Sequence, residues 1–245
     1  MISSVQTSWA ALLGNPNSGK TAIFNLLTGL NHKVSNYPGV TVEKKTGLAR
    51  FAAGDQFNIL DLPGTYSLTP ESMDERIVTE QVLNWIHGHE PPDVIISVVD
   101  ATNLSRNLYL TSQLADLGIP IVVALNMMDM VKQDLNINYE KLANDLDVAA
   151  IIPMSATEKW GQSELLESIK KSMNSNVVEN PFPIFLNDDI SNALKPLEEM
   201  LKTQFSYNNR LAKAQALRLI TRKSTVEIYT EMSANGMIVD AAFKK

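Results

Sequence analysis

The sequence predicts an α/β fold: a mixed, mostly parallel six-stranded sheet with helices on both faces, followed by a small all-α helical domain. Two observations lead to this prediction. Along about the first two-thirds of the 245 residues, apolar runs alternate with segments of helical period, as they do when crossover helices join parallel strands. After Met173 a polar stretch and a Pro181-Phe182-Pro183 break lead into helical spacing alone. We therefore expect one domain at residues 1–178 and another at residues 179–245.

The elements of the larger domain follow one another in order. The apolar runs that predict strands are 9–13, 94–99, 119–125 and 148–152, and the segments of helical period are 20–27, 104–117 and 163–173. Between Thr41 and Leu60 two extended segments are joined by Ala53-Gly54-Asp55, which is too short for a crossover helix. We therefore predict an antiparallel hairpin there, which makes the sheet mixed.

The second domain carries apolar side chains at helical spacing, beginning with Ile190, Leu194 and Leu197. Pro196 should kink or break the first of its helices, because proline has no amide hydrogen. A segment of about 60 residues buries little apolar surface alone. We therefore expect it to pack against the larger domain.

The composition is that of a folded, soluble protein. Hydrophobic residues make up 44% and charged residues 20% of the chain, and no apolar stretch approaches the ~18 to 20 residues that cross a bilayer. With 21 basic and 27 acidic side chains the net charge is -6, which gives no general attraction to nucleic acid. Cysteine is absent, which excludes disulfides and thiolate chemistry and fits a reducing compartment such as the cytoplasm.

The first motif is one that binds phosphate groups. It follows the pattern G-x-x-x-x-G-K-[S/T] directly after a predicted strand and at the start of a predicted helix, which is the setting of a P-loop NTPase fold. Backbone amides would bind phosphate oxygens, Lys20 would neutralise the β- and γ-phosphates, and the Thr21 hydroxyl would bind Mg²⁺. The alternative is a glycine turn without a ligand. The motif, named here the phosphate loop, consists of Gly14, Asn15, Pro16, Asn17, Ser18, Gly19, Lys20 and Thr21.

A second motif, Asp61-Leu62-Pro63-Gly64, is the only D-x-x-G in the chain and follows the second strand of the hairpin. Asp61 would hold the Mg²⁺ shell through water, and the Gly64 amide would sense the γ-phosphate. The alternative is an ordinary acidic residue between a strand and a turn.

A third motif, Asn126-Met127-Met128-Asp129, ends the apolar run at 119–125. N-x-x-D occurs twice elsewhere, but only this copy lies at the carboxyl end of a buried strand, where ligands bind in open α/β sheets. The Asp129 carboxylate can accept from the N1-H and 2-amino groups of guanine, which adenine does not offer. We therefore expect GTP or GDP as the ligand. Ser155-Ala156, after the last strand, is placed to close the base pocket through a backbone amide.

These pieces, in this order and each at a strand end, resemble the translation-factor-like GTPases. Within that group, Asn36-Tyr37-Pro38-Gly39-Val40-Thr41-Val42-Glu43-Lys44-Lys45 and Asp61-Leu62-Pro63-Gly64-Thr65-Tyr66-Ser67-Leu68 resemble the amino-terminal domain of the FeoB family of bacterial ferrous-iron transporters. The resemblance implies that Thr41 is a mobile Mg²⁺ ligand in a first switch at about residues 30–41. It also implies a second switch from Asp61 to about Arg76, and a helical domain that stabilises bound GDP.

Members of this family continue into a membrane-spanning permease, which this chain lacks. The resemblance therefore implies a soluble head on the cytoplasmic side of a larger inner-membrane protein, or an excised piece of one. Its expected function is GTP binding and slow GTP hydrolysis that regulates or drives ferrous iron uptake. The expected partners are guanine nucleotide, the permease domain of the same polypeptide, small Feo accessory proteins and further copies of the chain, but not nucleic acid.

Hydrolysis is expected to be slow. Many GTPases orient the attacking water with a glutamine directly after D-x-x-G, whereas Thr65 stands at that position here. The catalytic groups are therefore expected to be Asn17, Lys20, Thr41 and Gly64. No arginine finger is evident, because Arg50, Arg76 and Arg106 are expected on solvated surfaces.

Asn17 has two interpretations. In potassium-activated relatives of the family this position ligates a monovalent cation beside the phosphates, and K⁺ there would do the work of an arginine finger. The alternative is that Asn17 only shapes the turn, as asparagine often does.

Two other functions stay open. A ribosome- or RNA-linked GTPase would share the same core, but basic residues between Pro181 and Lys245 are mixed with acidic ones and form no aromatic-basic run. In a second alternative the chain is a nucleotide-gated switch in which hydrolysis only resets the nucleotide state.

His87-Gly88-His89-Glu90 is interpreted as a polar loop rather than a metal site.

Overall fold

A computed structural model describes residues 8–30, 32–37, 40–52, 54–87, 90–131, 137–175, 186–221 and 225–228. The strands are β1 (Trp9–Gly14), β2 (His32–Asn36), β3 (Glu43–Arg50), β4 (Gln56–Asp61), β5 (Val94–Asp100), β6 (Ile121–Asn126) and β7 (Ala150–Pro153). The helices are α1 (Lys20–Thr28), α2 (Met73–Ile86), α3 (Leu104–Ala115), α4 (Tyr139–Leu146), α5 (Gln162–Met173), α6 (Asp188–Phe205) and α7 (Asn209–Thr221).

The strands form one sheet in the order β2-β3-β4-β1-β5-β6-β7. β1 pairs in parallel with β4 and β5, and β5, β6 and β7 continue the parallel part. The β3-β4 hairpin is antiparallel, as predicted, and so is the β2-β3 pair. The predicted fold class, a mixed and mostly parallel sheet with helices, is therefore confirmed.

The prediction of six strands missed the edge strand β2. All five of its residues, His32–Asn36, are exposed, and Val34 is the only aliphatic side chain among them. An edge strand that packs on neither face carries no hydrophobic pattern, so its pairing with β3 could not be predicted from periodicity.

The core lies on both faces of the sheet, because each central strand contributes alternate side chains to either side. On β5, Ile95 and Val99 face one apolar cluster, which includes side chains of α2 and α3. Val94, Ile96 and Val98 face the other, which includes side chains of α1 and α5. A strand buried on both faces has a continuous apolar sequence.

The helical segment packs on the larger domain, in the way the sequence predicted. Leu83 of α2 joins an apolar cluster with Leu194, Leu201 and Leu211. α6 runs through Pro196 as one continuous helix, so the alternative of a break there was wrong. The proposed boundary between residues 178 and 179 lies outside the described residues and stays a prediction.

Ion pairs also connect the two parts. Arg218, which is buried, donates to the main-chain carbonyl of Gln113 at 2.7 Å and to the Asp116 carboxylate at 3.2 Å. Arg210 pairs with Asp116 and with Asp147. Burial raises the pKa of the Asp116 carboxyl, although Arg218 and Arg210 act in the opposite direction. Charges removed from water in this way need partners, which Asp116, Asp147 and the Gln113 carbonyl supply to the two arginines of α7.

The segment at the end of α2, which the sequence predicts to be a polar loop, begins with a histidine that contacts the helical segment. His87, at the end of α2, shares a hydrogen bond of 2.8 Å with the Tyr207 hydroxyl and stacks on Phe205, whereas Gly88 and His89 lie outside the described residues. Within the described ranges, His, Asp and Glu side chains form no group of three that could hold a metal ion. Over the same ranges no helix combines the length and apolar character of a membrane span.

Candidate functional site

The phosphate loop connects β1 to α1 at the carboxyl edge of the sheet, and two of its glycines are required by their surroundings. A Cβ on Gly14 would lie 2.7 Å from the Val98 carbonyl oxygen of β5. Gly19 has a φ of 86°, and a Cβ there would collide with the side-chain amide nitrogen of Asn126. Only glycine allows the loop to lie this close to the neighbouring strands.

Polar side chains are buried inside the phosphate loop. Asn15 is 2% exposed and Ser18 is 1% exposed. Asn15 donates weakly to the Arg106 carbonyl at 3.4 Å, but its Oδ1 and the Ser18 Oγ have no hydrogen-bond partner among the described residues. Buried polar atoms without partners are costly, and a catalytic or binding role is one of the reasons why a protein keeps them.

Asn17 occupies the left-handed region, with a φ of 65°, and its side chain is exposed. Asparagine tolerates this conformation better than most residues. The turn-shaping interpretation of Asn17 therefore has a structural basis. Because the side chain is exposed, its amide is also accessible to a cation, as the other interpretation requires.

Lys20, at the start of α1, forms an ion pair with Asp61, at the end of β4. Both side chains are largely buried, at 12% and 6% exposed. They line a cleft of about 380 Å³ together with the hydroxyl residues Thr21 and Thr41. The structure thus places all three predicted Mg²⁺ ligands, Thr21, Thr41 and Asp61, on one cleft beside Lys20. Hydroxyl and carboxylate oxygens are donors that suit Mg²⁺, so the residues present fit this ion.

Tyr37 is a residue of this region to which the sequence analysis gave no role. Its ring is buried in the core, and its hydroxyl has no hydrogen-bond partner among the described residues. Burial, with a smaller contribution from the Asp61 carboxylate, raises the pKa of Tyr37 to about 12. A buried aromatic side chain of the segment predicted to be the first switch therefore lies near Asp61, a predicted Mg²⁺ ligand.

Asn126, at the end of β6, connects two segments of the site. Its side-chain nitrogen donates to the Ser18 carbonyl at 3.0 Å, and its Oδ1 accepts from the Ala156 amide at 3.0 Å. The side chain is 3% exposed. Ser155-Ala156 was predicted to close the base pocket through a backbone amide, and in this structure the Ala156 amide donates to Asn126.

Asp129 lies close to this connection but faces solvent. It belongs to a short 3-10 helix, Met128–Met130, that follows Met127 in the left-handed region. Ser155 is fully buried, pairs its backbone with Trp160, and accepts from the Glu158 amide at 3.1 Å. The third motif and the Ser155-Ala156 segment therefore lie side by side. The Asp129 side chain is exposed.

The segment predicted to be the second switch begins against the phosphate loop. A Cβ on Gly64 would lie 3.1 Å from the nitrogen of Pro16, and the Thr65 amide donates to the Gly14 carbonyl at 3.2 Å. The Thr65 side chain is fully buried, and its hydroxyl donates to the Ser67 carbonyl at 2.7 Å. That hydroxyl therefore forms its hydrogen bond within the same segment and is not directed into the cleft.

Glu75 and Gln113 hold the rest of the second switch, and the sequence analysis identified neither. The Glu75 carboxylate accepts from the Tyr66 amide at 3.2 Å and from the Glu71 amide at 2.9 Å. The Gln113 side chain on α3 accepts from the Leu68 amide at 2.7 Å. Ser72 and Glu75 have the spacing of a helix capping box, which is the signal that was available for Glu75.

The three arginines considered from the sequence lie at the surface. Arg50 and Arg106 are exposed, and Arg76 pairs with Glu80 one turn along α2 at 2.7 Å. The Arg106 guanidinium lies 4.0 Å from the centre of the Tyr66 ring.

Comparison with known proteins identifies the family. The family model described as Ferrous iron transport protein B matches residues 8–169. The Fe(2+) transporter FeoB of Legionella pneumophila (strain Lens) is 38% identical over 96% of this chain, and that of Salmonella typhimurium is 46% identical over 68% of it. The chain spans only 32% and 21% of the lengths of these two relatives.

Solved structures give the same result. The cytosolic domain of L. pneumophila FeoB is 41% identical, with a TM-score of 0.74, over 86% of this chain and 87% of that one. An S. thermophilus NFeoB mutant bound to mGDP is 37% identical, with a TM-score of 0.78, over 98% and 91%. The cytosolic domain of the T. maritima FeoB iron transporter in GDP form II is 30% identical, with a TM-score of 0.80, over 95% and 86%. The chain belongs to the ferrous iron transport protein B family.

Proposed function

We propose that this chain binds guanine nucleotide with Mg²⁺ and hydrolyses GTP slowly. The observation that carries the proposal is the cleft in which Lys20, Thr21, Thr41 and Asp61 meet at the end of the phosphate loop. A lysine, two hydroxyls and a carboxylate on one cleft match the needs of a magnesium-bound nucleotide. The relatives solved with GDP or mGDP add support.

Each residue of the cleft has a separate task. Lys20 leaves Asp61 and neutralises charge on the β- and γ-phosphates, while the amides of the phosphate loop bind their oxygens. Thr21, Thr41 and, through water, Asp61 would hold the Mg²⁺. When bound, this ion supplies positive charge that stabilises the transition state of phosphoryl transfer. The Gly64 amide senses the γ-phosphate.

Hydrolysis is slow in this proposal because no glutamine follows the D-x-x-G motif to orient the attacking water. Thr65 occupies that position, and its hydroxyl is bound to the Ser67 carbonyl. Positioning and electrostatics therefore depend on the phosphate loop, Lys20 and Mg²⁺. We further propose that K⁺, bound by the exposed amide of Asn17, supplies the charge that an arginine finger supplies elsewhere.

The base is guanine in this proposal. Asp129 is exposed beside the Asn126 connection and accepts from guanine N1-H and the 2-amino group. Ser155 and Ala156 form the adjoining wall of the pocket.

In the intact protein the chain would regulate or drive ferrous iron uptake, because its relatives are named Fe(2+) transporters. The permease domain of the same polypeptide, small Feo accessory proteins and further copies of the chain are its proposed partners. We place the chain on the cytoplasmic side of the bacterial inner membrane. In this proposal its helical domain, residues 179–245, stabilises bound GDP. The RNA-linked alternative is disfavoured by the named relatives. A gating role, in which hydrolysis only resets the state, is retained.

Nucleotide binding and turnover test the proposal directly. GDP and GTP should bind in preference to ATP, and phosphate release from GTP should require Mg²⁺ and Lys20. Lys202→Ala replaces a partly buried lysine of α6 that pairs with Glu199; it serves as the matched control and should leave both unchanged. Equal affinity for ATP and GTP, or phosphate release that survives Lys20→Ala, would overturn the proposal.

A further inference from the structure

The second switch is held from outside by a stacking contact between two side chains. The Arg106 guanidinium, on α3, lies 4.0 Å from the centre of the Tyr66 ring, and Tyr66 follows Gly64 by two residues in the second switch. A guanidinium over an aromatic ring attracts the negative face of the ring and packs against it.

The same arginine is joined to the phosphate loop, but through its main chain. The Asn15 side-chain amide donates to the Arg106 carbonyl at 3.4 Å. Arg106 therefore lies between the loop that binds phosphates and the segment that senses the γ-phosphate. Since one contact uses the carbonyl and the other the guanidinium, substitution of the side chain removes only the link to Tyr66.

The start of the second switch lies against the phosphate loop in this structure. Gly64 packs against Pro16, and the Thr65 amide is used by the Gly14 carbonyl. These contacts keep the start of the second switch against the loop.

We propose that Arg106 is a positioning residue that holds the second switch, through Tyr66, against the phosphate loop and so lowers the preference for GTP over GDP. The inference rests on the proposed nucleotide binding. A contact that holds the second switch against the loop opposes only a ligand that needs this segment to move. GDP has no γ-phosphate to recruit the switch, so the contact weakens GTP binding alone.

The test compares Kd values for GDP and for the β,γ-imido analogue of GTP across a set of variants. Arg106→Ala and Tyr66→Leu should each tighten binding of the analogue about two- to fivefold, the range expected of an exposed cation–π contact, with GDP affinity unchanged. Tyr66→Phe keeps the ring and should behave as wild type. The double variant Arg106→Ala/Tyr66→Leu should show no more than either single change, because the contact is lost only once.

Other outcomes would overturn the inference. Additive effects in the double variant, equal shifts for both nucleotides, or weaker binding of the analogue would each show that the stack does not restrain the switch. A lowered Tm with an unchanged ratio of the two Kd values would show a structural role only. Failure of the wild-type chain to bind either nucleotide would instead remove the proposed function, so the two failures are distinguishable.

Discussion

The side-chain amide of Asn126 donates a hydrogen bond to the main-chain carbonyl of Ser18 at 3.0 Å. Because Oδ1 of the same side chain accepts from the Ala156 amide, one residue joins the phosphate loop, the end of β6 and the segment after β7. The phosphate part and the base part of the site are therefore held as one unit.

Asn126→Ala should lower both stability and nucleotide affinity. The Ser18 carbonyl and the Ala156 amide would lose their partner in a buried place, at about 1–3 kcal/mol for each group left unsatisfied. Thermal unfolding and GDP titration measure the two effects. Asn138→Ala removes an exposed helix cap on α4, so it should cost about 1 kcal/mol with GDP affinity unchanged. Equal GDP affinity in wild type and Asn126→Ala would contradict this role.

Gly19→Ala should abolish tight nucleotide binding, because the new Cβ would collide with the Asn126 side chain that holds the site together. Gly54→Ala is the matched control: Gly54 also has a positive φ, 93°, but a Cβ there meets open space. Both variants carry the backbone strain of about 1–2 kcal/mol, so thermal unfolding should report a larger loss for Gly19→Ala. Combining it with Asn126→Ala should restore part of that difference, and additivity of the two changes would exclude the collision as its cause.

The sequence predicted the parallel core because strands such as β5 are apolar on both faces and therefore visible as continuous runs. It missed β2, whose exposed residues carry no pattern. The same limit applies within the site. The phosphate loop could be recognised from its spacing, whereas the contacts of Tyr37 and Glu75 depend on side chains that meet only after folding. Motif letters assigned Asn126 to the base pocket, but only the fold shows that its amide spans Ser18 and Ala156.

Thr41→Ala should slow GTP hydrolysis with little change in GDP affinity. Thr41 is exposed on the cleft in this structure, and only the γ-phosphate would recruit the first switch that carries it. Thr21→Ala is a useful contrast, because Thr21 lies in the first turn of α1 and would serve Mg²⁺ with either nucleotide. Single-turnover phosphate release and GDP titration separate the two. A loss of GDP affinity as large as that of Thr21→Ala would count against the proposed role of Thr41.

Asp129→Asn should shift base preference from guanine toward xanthine nucleotides, because the amide offers a donor where the carboxylate accepts. A hydrogen bond to a charged group contributes about 1.5–3 kcal/mol, so GTP affinity should fall about ten- to a hundredfold. Competition between GDP and XDP measures the shift. Asp145→Asn removes an exposed carboxylate of α4 that pairs only with Lys141 among the described residues and should leave the preference unchanged. Unchanged preference in Asp129→Asn as well would remove Asp129 from the base pocket.

Turnover in KCl and NaCl can separate the two interpretations of Asn17, because the structure shows the backbone conformation that a substitution must keep. Asn17 has a φ of 65°. Asn17→Gly preserves that conformation and removes the amide, whereas Asn17→Ala strains the turn as well. If the amide binds K⁺, GTP turnover by wild type should be faster in KCl than in NaCl, by a factor below the roughly 10³-fold of an arginine finger. Both variants should then lose the difference between the salts.

If Asn17 only shapes the turn, Asn17→Gly should keep the wild-type ratio of turnover in KCl to turnover in NaCl. Asn17→Ala alone should then be slow. Stimulation by K⁺ that persists in Asn17→Gly would therefore exclude the amide as the ligand.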